Sequence, residues 1–372
     1  MTIFFISSLI VAFFASMFCI AYVQNFTSYI FWGLCVCVLA IPVLNFVPQT
    51  SDDLTRYYGI MTYISSVDNF KDAYLIFKND PSLKYQESSM LFNMLEFIVS
   101  KTSNFRLLPF FNIAFSYFCF GLPFIFKRNK KKVSNLNMII GILATSSLIT
   151  YFALATTLRW GISAAMFFLI TFVLYNTNKR KQILWYFIPL KLHVGTILPI
   201  AVIIYSKLIK RIRWFHILIF MIIMGLIFKY YIFSSSAQVI SDNVSIANRA
   251  SMYTNDFIQS NTNGVLARII RDIIPILYMV GFIFAAKKVN LDRSIFYTLI
   301  IFIIVLIFLV PFVLMFDRYS IYLGLVPLVL FLTNDKFEDA MNLFPVKMFV
   351  ILGIMLAILE NVILLSKMIF VF

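Results

Sequence analysis

The chain has 372 residues, of which 62% are apolar and only 13% charged, against roughly 45–50% and 25% in an ordinary soluble protein. Its 43 Phe and 19 Tyr exceed what a soluble core of this length encloses, so water is excluded as the main solvent and a bilayer takes its place. The formal charge of +15 argues against a nucleic-acid partner by its placement, because the basic residues sit in small clusters between apolar runs.

Taken in chain order, the first apolar run, Ile3 to Val23, lacks a basic leader and is followed almost at once by a second, Tyr29 to Val47. It reads as a retained first helix and not as a signal peptide. A long polar stretch then runs from Pro48 to about Arg106. It opens with Gln49-Thr50-Ser51-Asp52-Asp53-Leu54-Thr55-Arg56-Tyr57-Tyr58 and contains an amphipathic segment, Ser88 to Val99, expected to lie along the membrane interface. Spans are expected next at Leu107 to Phe126, Leu136 to Leu154 and Leu158 to Tyr175, each long enough to cross roughly 30 Å of hydrocarbon.

Tyr186 to Ser206 is different. Basic clusters flank it on both sides, Lys179, Arg180 and Lys181 before and Lys207, Lys210, Arg211 and Arg213 after, and Pro189, Lys191, His193, Gly195 and Pro199 interrupt it. A re-entrant hairpin with His193 near its tip keeps both clusters on one side of the membrane; the plain alternative is a kinked ordinary span. Beyond it lie a run at Trp214 to Phe233, a second large loop from Ser234 to about Arg268, and runs at Ile269 to Ala286, Ile295 to Met315, Ser320 to Thr333 and Val346 to Phe370. The expectation is an all-α polytopic protein, one integral membrane domain over 1–372 with about ten transmembrane helices and the hairpin. With Lys127, Arg128, Lys130, Lys131 and Lys132, and later Lys287, Lys288 and Arg293, assigned to the cytoplasm, both large loops, 48–106 and 234–268, fall outside. No internal repeat is visible.

The chemistry-bearing residues exclude several classes. No phosphate-binding glycine loop or dinucleotide fingerprint occurs. His193 and His216 stand far apart without partners, and Cys19, Cys35, Cys37 and Cys119 lie inside apolar runs, so no metal and no cofactor is expected. What remains is a polar set near the outer helix ends. Asp52, Asp53, Arg56, Tyr57 and Glu87 belong to the first loop, where carboxylates serve either as a general base or as members of weak surface ion pairs. Arg159 opens a span in Leu158-Arg159-Trp160-Gly161-Ile162-Ser163-Ala164. Deep placement would cost roughly 2.5–3.5 kcal/mol and call for a compensating anion or a watery cavity; at the interface it would simply snorkel. Arg249, Arg268 and Arg271 follow in the second loop and its exit, and Asp317-Arg318-Tyr319 marks a further helix end. Outward arginines run against the positive-inside bias and suit an anionic, phosphate-bearing ligand.

Asp53-Leu54-Thr55-Arg56-Tyr57-Tyr58, Tyr85-Gln86-Glu87 before an amphipathic segment, Leu158-Arg159 followed by small residues, His193 in the next apolar segment, and the late Arg318-Tyr319, in that order, resemble the EpsG/Wzy-type polymerases of capsule, O-antigen and exopolysaccharide assembly. Where that family usually carries Glu-Pro or Glu-Pro-Gly after the first outer loop, this sequence has Glu87-Ser88-Ser89. The resemblance implies a fold like the GT-C membrane glycosyltransferases. It also implies a metal-independent polymerase of the bacterial cytoplasmic membrane that joins oligosaccharide repeat units on an undecaprenyl-pyrophosphate carrier at the outer face, alongside a flippase and a chain-length regulator. Asp52, Asp53, Glu87 and His193 are then the candidates for the base. Arg56, Tyr57, Arg159, Arg249, Arg268, Arg318 and Tyr319 are the candidates for holding substrate and pyrophosphate. Two competing readings are a flippase for the same lipid-linked substrate, from which two related halves would be expected, and another membrane transferase such as an oligosaccharide ligase or acyltransferase.

Overall fold

A computed structural model describes residues 23, 25–48, 53–79, 89–177, 180–208, 262–291, 293–309, 313–365 and 369–370. The described chain is almost entirely helical. Among the described residues, five helical segments are long and apolar enough to cross a bilayer: 26–45, 107–129, 158–176, 269–288 and 344–364. The first combines α1 (Phe26–Ala40) with a 3-10 turn, Ile41–Asn45; the others lie in α5 (Leu107–Asn129), α8 (Leu158–Thr177), α11 (Thr262–Lys288) and α15 (Phe344–Leu365). The runs expected at Ile3 to Val23 and Trp214 to Phe233, apart from Val23, fall outside the described residues.

Helix contacts run in two groups. α5 packs on α1, α8 and α6 (Asn135–Ser147), while α11 packs along α15 and along α13 (Val313–Thr333), and α13 also meets α8. Small residues allow the close approaches. A Cβ on Gly121 of α5 would lie 2.3 Å from the Trp32 indole of α1, and the Trp32 Nε1–H donates to the Phe118 carbonyl at 3.2 Å. On α15, Phe344, Met348, Met355, Ile358 and Val362 are exposed along one stripe, the face such a helix turns toward lipid.

The turns on the basic side are built alike. α5 ends with Lys131, α11 with Asn290 and α13 with Asp335 in the left-handed region, at φ 57°, 47° and 56°. In each the next residue's N–H bonds five residues back, Lys132 to Lys127, Leu291 to Ala286 and Lys336 to Phe331, which satisfies carbonyls that the helix end would otherwise strand. Asp335 then joins two of these turns: its carboxylate accepts from Lys127 Nζ at 2.5 Å and also from Lys132 Nζ. The Glu338 carboxylate of α14 (Phe337–Met341) accepts the Ser134 N–H at 2.9 Å beside them.

Two expectations are corrected. The run Leu136 to Leu154 is two helices, α6 and α7 (Tyr151–Thr156), because the Ser147 hydroxyl turns back to the Ala144 carbonyl and Thr150 caps a new helix through the Ala153 N–H. The run expected from Ile295 to Met315 is helical in α12 (Arg293–Leu309) and again from Val313, the first described residue of α13, with Asp317-Arg318-Tyr319 in the second turn of that described part; residues 310–312 lie outside the described residues. The second correction is that the first large loop is helical over much of its length: α2 (Asp53–Ile64), α3 (Phe70–Asn79) and α4 (Met90–Ser100). Only α4 matches an expected segment.

Candidate functional site

The residues expected at the site divide into three sets. Asp52, Glu87 and Arg249 lie outside the described residues. Arg268 and Arg318 lie on the described backbone of α11 and α13, but their side chains fall outside the described set. Asp53, Arg56, Tyr57, Arg159, His193 and Tyr319 are described, and they form two clusters one above the other on α8.

The upper cluster centres on Arg159 in the first turn of α8. Its Nε–H donates to the Tyr57 hydroxyl at 2.9 Å and Nη1 to the Ser89 hydroxyl at 3.4 Å. These two bonds orient the guanidinium from α2 and from the residue that precedes α4. Tyr57, 2% exposed, is itself fixed by an edge-on contact with Phe92 of α4, with ring centroids 5.4 Å apart. Arg56 lies 5.6 Å and Arg159 5.8 Å from the centre of the Tyr57 ring, so one aromatic face system serves two cations. Asp53 pairs with Arg56 at 3.1 Å, with the side chains 39% and 45% exposed; this is the weak surface pair that the sequence left as an alternative for Asp53.

Beneath them lies a carboxylate not anticipated as a site residue. Glu96 of α4 is fully buried, and neither carboxyl oxygen has a hydrogen-bond partner among the described residues. The helix has 11 residues and is about 17 Å long, too short to cross a bilayer. Burial raises the Glu96 carboxyl to about 8, while the positive charges of Arg159 and then Arg56 pull it down. Burial likewise raises the Tyr57 hydroxyl above its usual value against the pull of Arg159. A signal for Glu96 was present in the sequence, since it is the one charged residue in Met-Leu-Phe-Asn-Met-Leu-Glu-Phe-Ile-Val-Ser. What the sequence lacked was the packing of α4 against α2.

The lower cluster sits one turn along α8. Ser163, four residues after Arg159 and so on the same face about 6 Å further along, donates to the Pro189 carbonyl at 2.7 Å and contacts the Thr196 hydroxyl at 3.5 Å. Both partners belong to the segment 186–206, which is broken as expected. α9 (Phe187–Leu192) stops at His193, whose backbone is extended at φ −157°, and a 3-10 turn, Val194–Thr196, leads into α10 (Ile197–Leu208). The arm before the break runs antiparallel to α8: Tyr186 meets Thr171 at 2.8 Å and Pro189 meets Ser163. His193 Nδ1 accepts the Gly195 N–H at 3.0 Å, which assigns the proton of the neutral ring to Nε2. A Cβ on Gly195 would lie 2.7 Å from that Nδ1 and 3.6 Å from the Tyr319 hydroxyl, so the His193 ring, Gly195 and the α13 tyrosine converge.

The combined arrangement presents a held guanidinium, a second cation at Arg56, a ring N–H at His193 and a phenol at Tyr319. These are donors and positive charge, suited to an oxyanion. Among the described residues no three His, Cys, Asp or Glu side chains come together as a metal set.

Compared with known proteins, the chain matches the model of the EpsG family over residues 29–368. No curated protein and no solved structure matches it.

Proposed function

Since the chain belongs to the EpsG family, and is thereby a membrane protein of polysaccharide biosynthesis, we propose that it is the polymerase that joins oligosaccharide repeat units carried on undecaprenyl pyrophosphate. In this reading it is a multi-pass, GT-C-like glycosyltransferase of the bacterial cytoplasmic membrane, acting at the outer face. A flippase supplies its substrate and a chain-length regulator accompanies it. The observation that carries the reading is the Arg159 guanidinium, tethered by Tyr57 and Ser89 near the buried Glu96 carboxyl group. A cation held this way is pre-organised for a charge that appears during reaction.

The chemistry follows from the substrate. An acceptor sugar hydroxyl attacks the anomeric carbon of the donor; the bond from that carbon to the diphosphate oxygen breaks, and its electron pair leaves on the diphosphate. Arg159 and Arg56 stabilise that developing charge, with Arg249, Arg268 and Arg318 as further candidates. Tyr319 and the His193 Nε2–H act as hydrogen-bond donors to the sugar or diphosphate. The hydroxyl proton passes to a carboxylate, for which Asp52 and Glu87 are the candidates. Asp53 is already paired with Arg56, and His193 Nδ1 is occupied by the Gly195 N–H. The carrier makes the donor an activated one, so the reaction needs neither nucleotide nor metal. In this reading 186–206 is re-entrant; its first arm lies antiparallel to α8, as the first arm of a kinked span would, and its Pro189 carbonyl is bonded to Ser163, one turn along α8 from Arg159.

The test is a strain lacking the gene, with its lipid-linked and surface polysaccharide analysed. The polymerase reading predicts single repeat units in place of long chains, and full-length chains would overturn it. Lipid-linked units trapped on the cytoplasmic side would instead identify a flippase.

A further inference from the structure

A groove of about 420 Å³ opens beside the upper cluster, with only apolar surface on its walls. Its size falls in the roughly 300–1,000 Å³ range of small-molecule clefts, yet it offers no polar group to fix the orientation of a polar ligand. Gly33 and Cys37 of α1, Phe115 and Phe118 of α5, Leu95 of α4 and Ile162 of α8 line it. Two of these tie it to the charged site. Leu95 precedes the buried Glu96, and Ile162 follows Arg159 by three residues on the same helix, about 4.5 Å along its axis.

We propose that this groove holds the first isoprene units of the substrate's lipid carrier, next to the diphosphate held at Arg159 and Arg56. The inference rests on the polymerase reading and adds the place where the carrier's tail leaves the site. A lipid diphosphate is a strong dianion joined directly to hydrocarbon, so its site must pass from fixed cations to purely apolar walls within a few ångströms. The chain provides that transition between Arg159 and Ile162. Gly33 keeps the α1 wall low: a Cβ there would meet only the Phe118 ring edge, at 3.7 Å, so the space beyond is the groove itself. Hydrocarbon burial contributes about 0.8 kcal/mol per CH₂ removed from water. That gain is smaller for a tail coming from lipid, so the groove acts mainly by directing the tail and aligning the head group.

Cys37 is an exposed thiol on the groove wall, whereas Cys35 and Cys119 are buried, and this gives a native reporter. In the full-length Cys19→Ser protein in nanodiscs, the rate of Cys37 alkylation by N-ethylmaleimide is measured with undecaprenyl pyrophosphate, with inorganic pyrophosphate, or with added phosphatidylglycerol. Binding of the lipid diphosphate is measured in parallel. The proposal predicts several-fold slowing by undecaprenyl pyrophosphate alone, and loss of tight lipid binding in Gly33→Phe but not in Gly33→Ala. Undiminished alkylation despite Arg159-dependent binding would overturn the groove assignment and leave the polymerase reading standing. Equal slowing by phosphatidylglycerol would make the groove an ordinary acyl-chain contact and overturn it too. Absence of any lipid diphosphate binding would overturn both.

Discussion

Arg159 and Glu96 carry the sharpest predictions. Arg159 is held through Nε by Tyr57 while its other guanidinium nitrogens remain fixed in a planar fork, an arrangement that the single ammonium of a lysine cannot reproduce. Arg159→Ala is expected to lower polymer formation by about 100-fold or more, and Arg159→Lys to recover little of it, measured as products per unit of protein in the membrane. Glu96 predicts a pH dependence. Below its usual value of 4.5 the carboxyl is protonated in the folded and the unfolded chain alike. Between 4.5 and about 8 the folded state keeps a proton that the unfolded state has released, so stability falls across that window and levels off above it. Thermal denaturation of purified protein across this window should show the decline, and Glu96→Gln should flatten it; a wild-type stability that rises over the same range would contradict the buried, proton-holding carboxyl. Arg159 was legible in the sequence because an arginine opening a small-residue span is costly without a partner. Glu96 was not named, because burial of a loop carboxylate depends on α2, α4 and α8 meeting.

Among the elements, the break at His193 and the clip at Asp335 bind the structure at opposite ends. Gly195 has its N–H on His193 Nδ1 and no room for a Cβ, which would stand 2.6 Å from the His193 Cε1. Gly195→Ala should therefore displace the His193 ring and reduce activity while leaving the amount of protein in the membrane near normal; unchanged activity would show that the ring position is unimportant. Asp335 joins Lys127, whose side chain is 3% exposed, to the turn before α14. Burial opposes ionisation of Asp335, but hydrogen bonds and charges from Lys127 and Lys132 hold its carboxyl below the usual carboxylate range. Its contribution is present above the usual carboxylate value and is lost as pH falls through the lowered folded one. Asp335→Ala strands the Lys127 ammonium and should cost roughly 1–3 kcal/mol, read as a lower melting temperature at neutral pH that converges with wild type in acid. The broken helix at 186–206 was legible from its prolines and flanking charges. The split at Ser147 to Thr150 was hidden, since an apolar run conceals hydroxyls that bond back to the chain.

For the whole molecule, apolar run lengths gave the membrane class and most helix positions, and the ordered motifs gave the family that the match over 29–368 establishes. The helical build of the first large loop escaped, because α2 and α3 are only 12 and 10 residues long, too short to stand out as spans and marginal as isolated helices. That loop supplies Tyr57, Ser89 and Glu96 to a site whose central arginine belongs to a span, so the catalyst proposed is a lid of short helices docked on a membrane bundle. The most direct test is reconstitution of purified protein in liposomes with undecaprenyl-pyrophosphate-linked repeat units and no other enzyme. The polymerase account predicts products of two and more repeat units with wild type, and single units only with Arg159→Ala at equal reconstitution. Single units with both proteins, despite binding of the substrate, would contradict it.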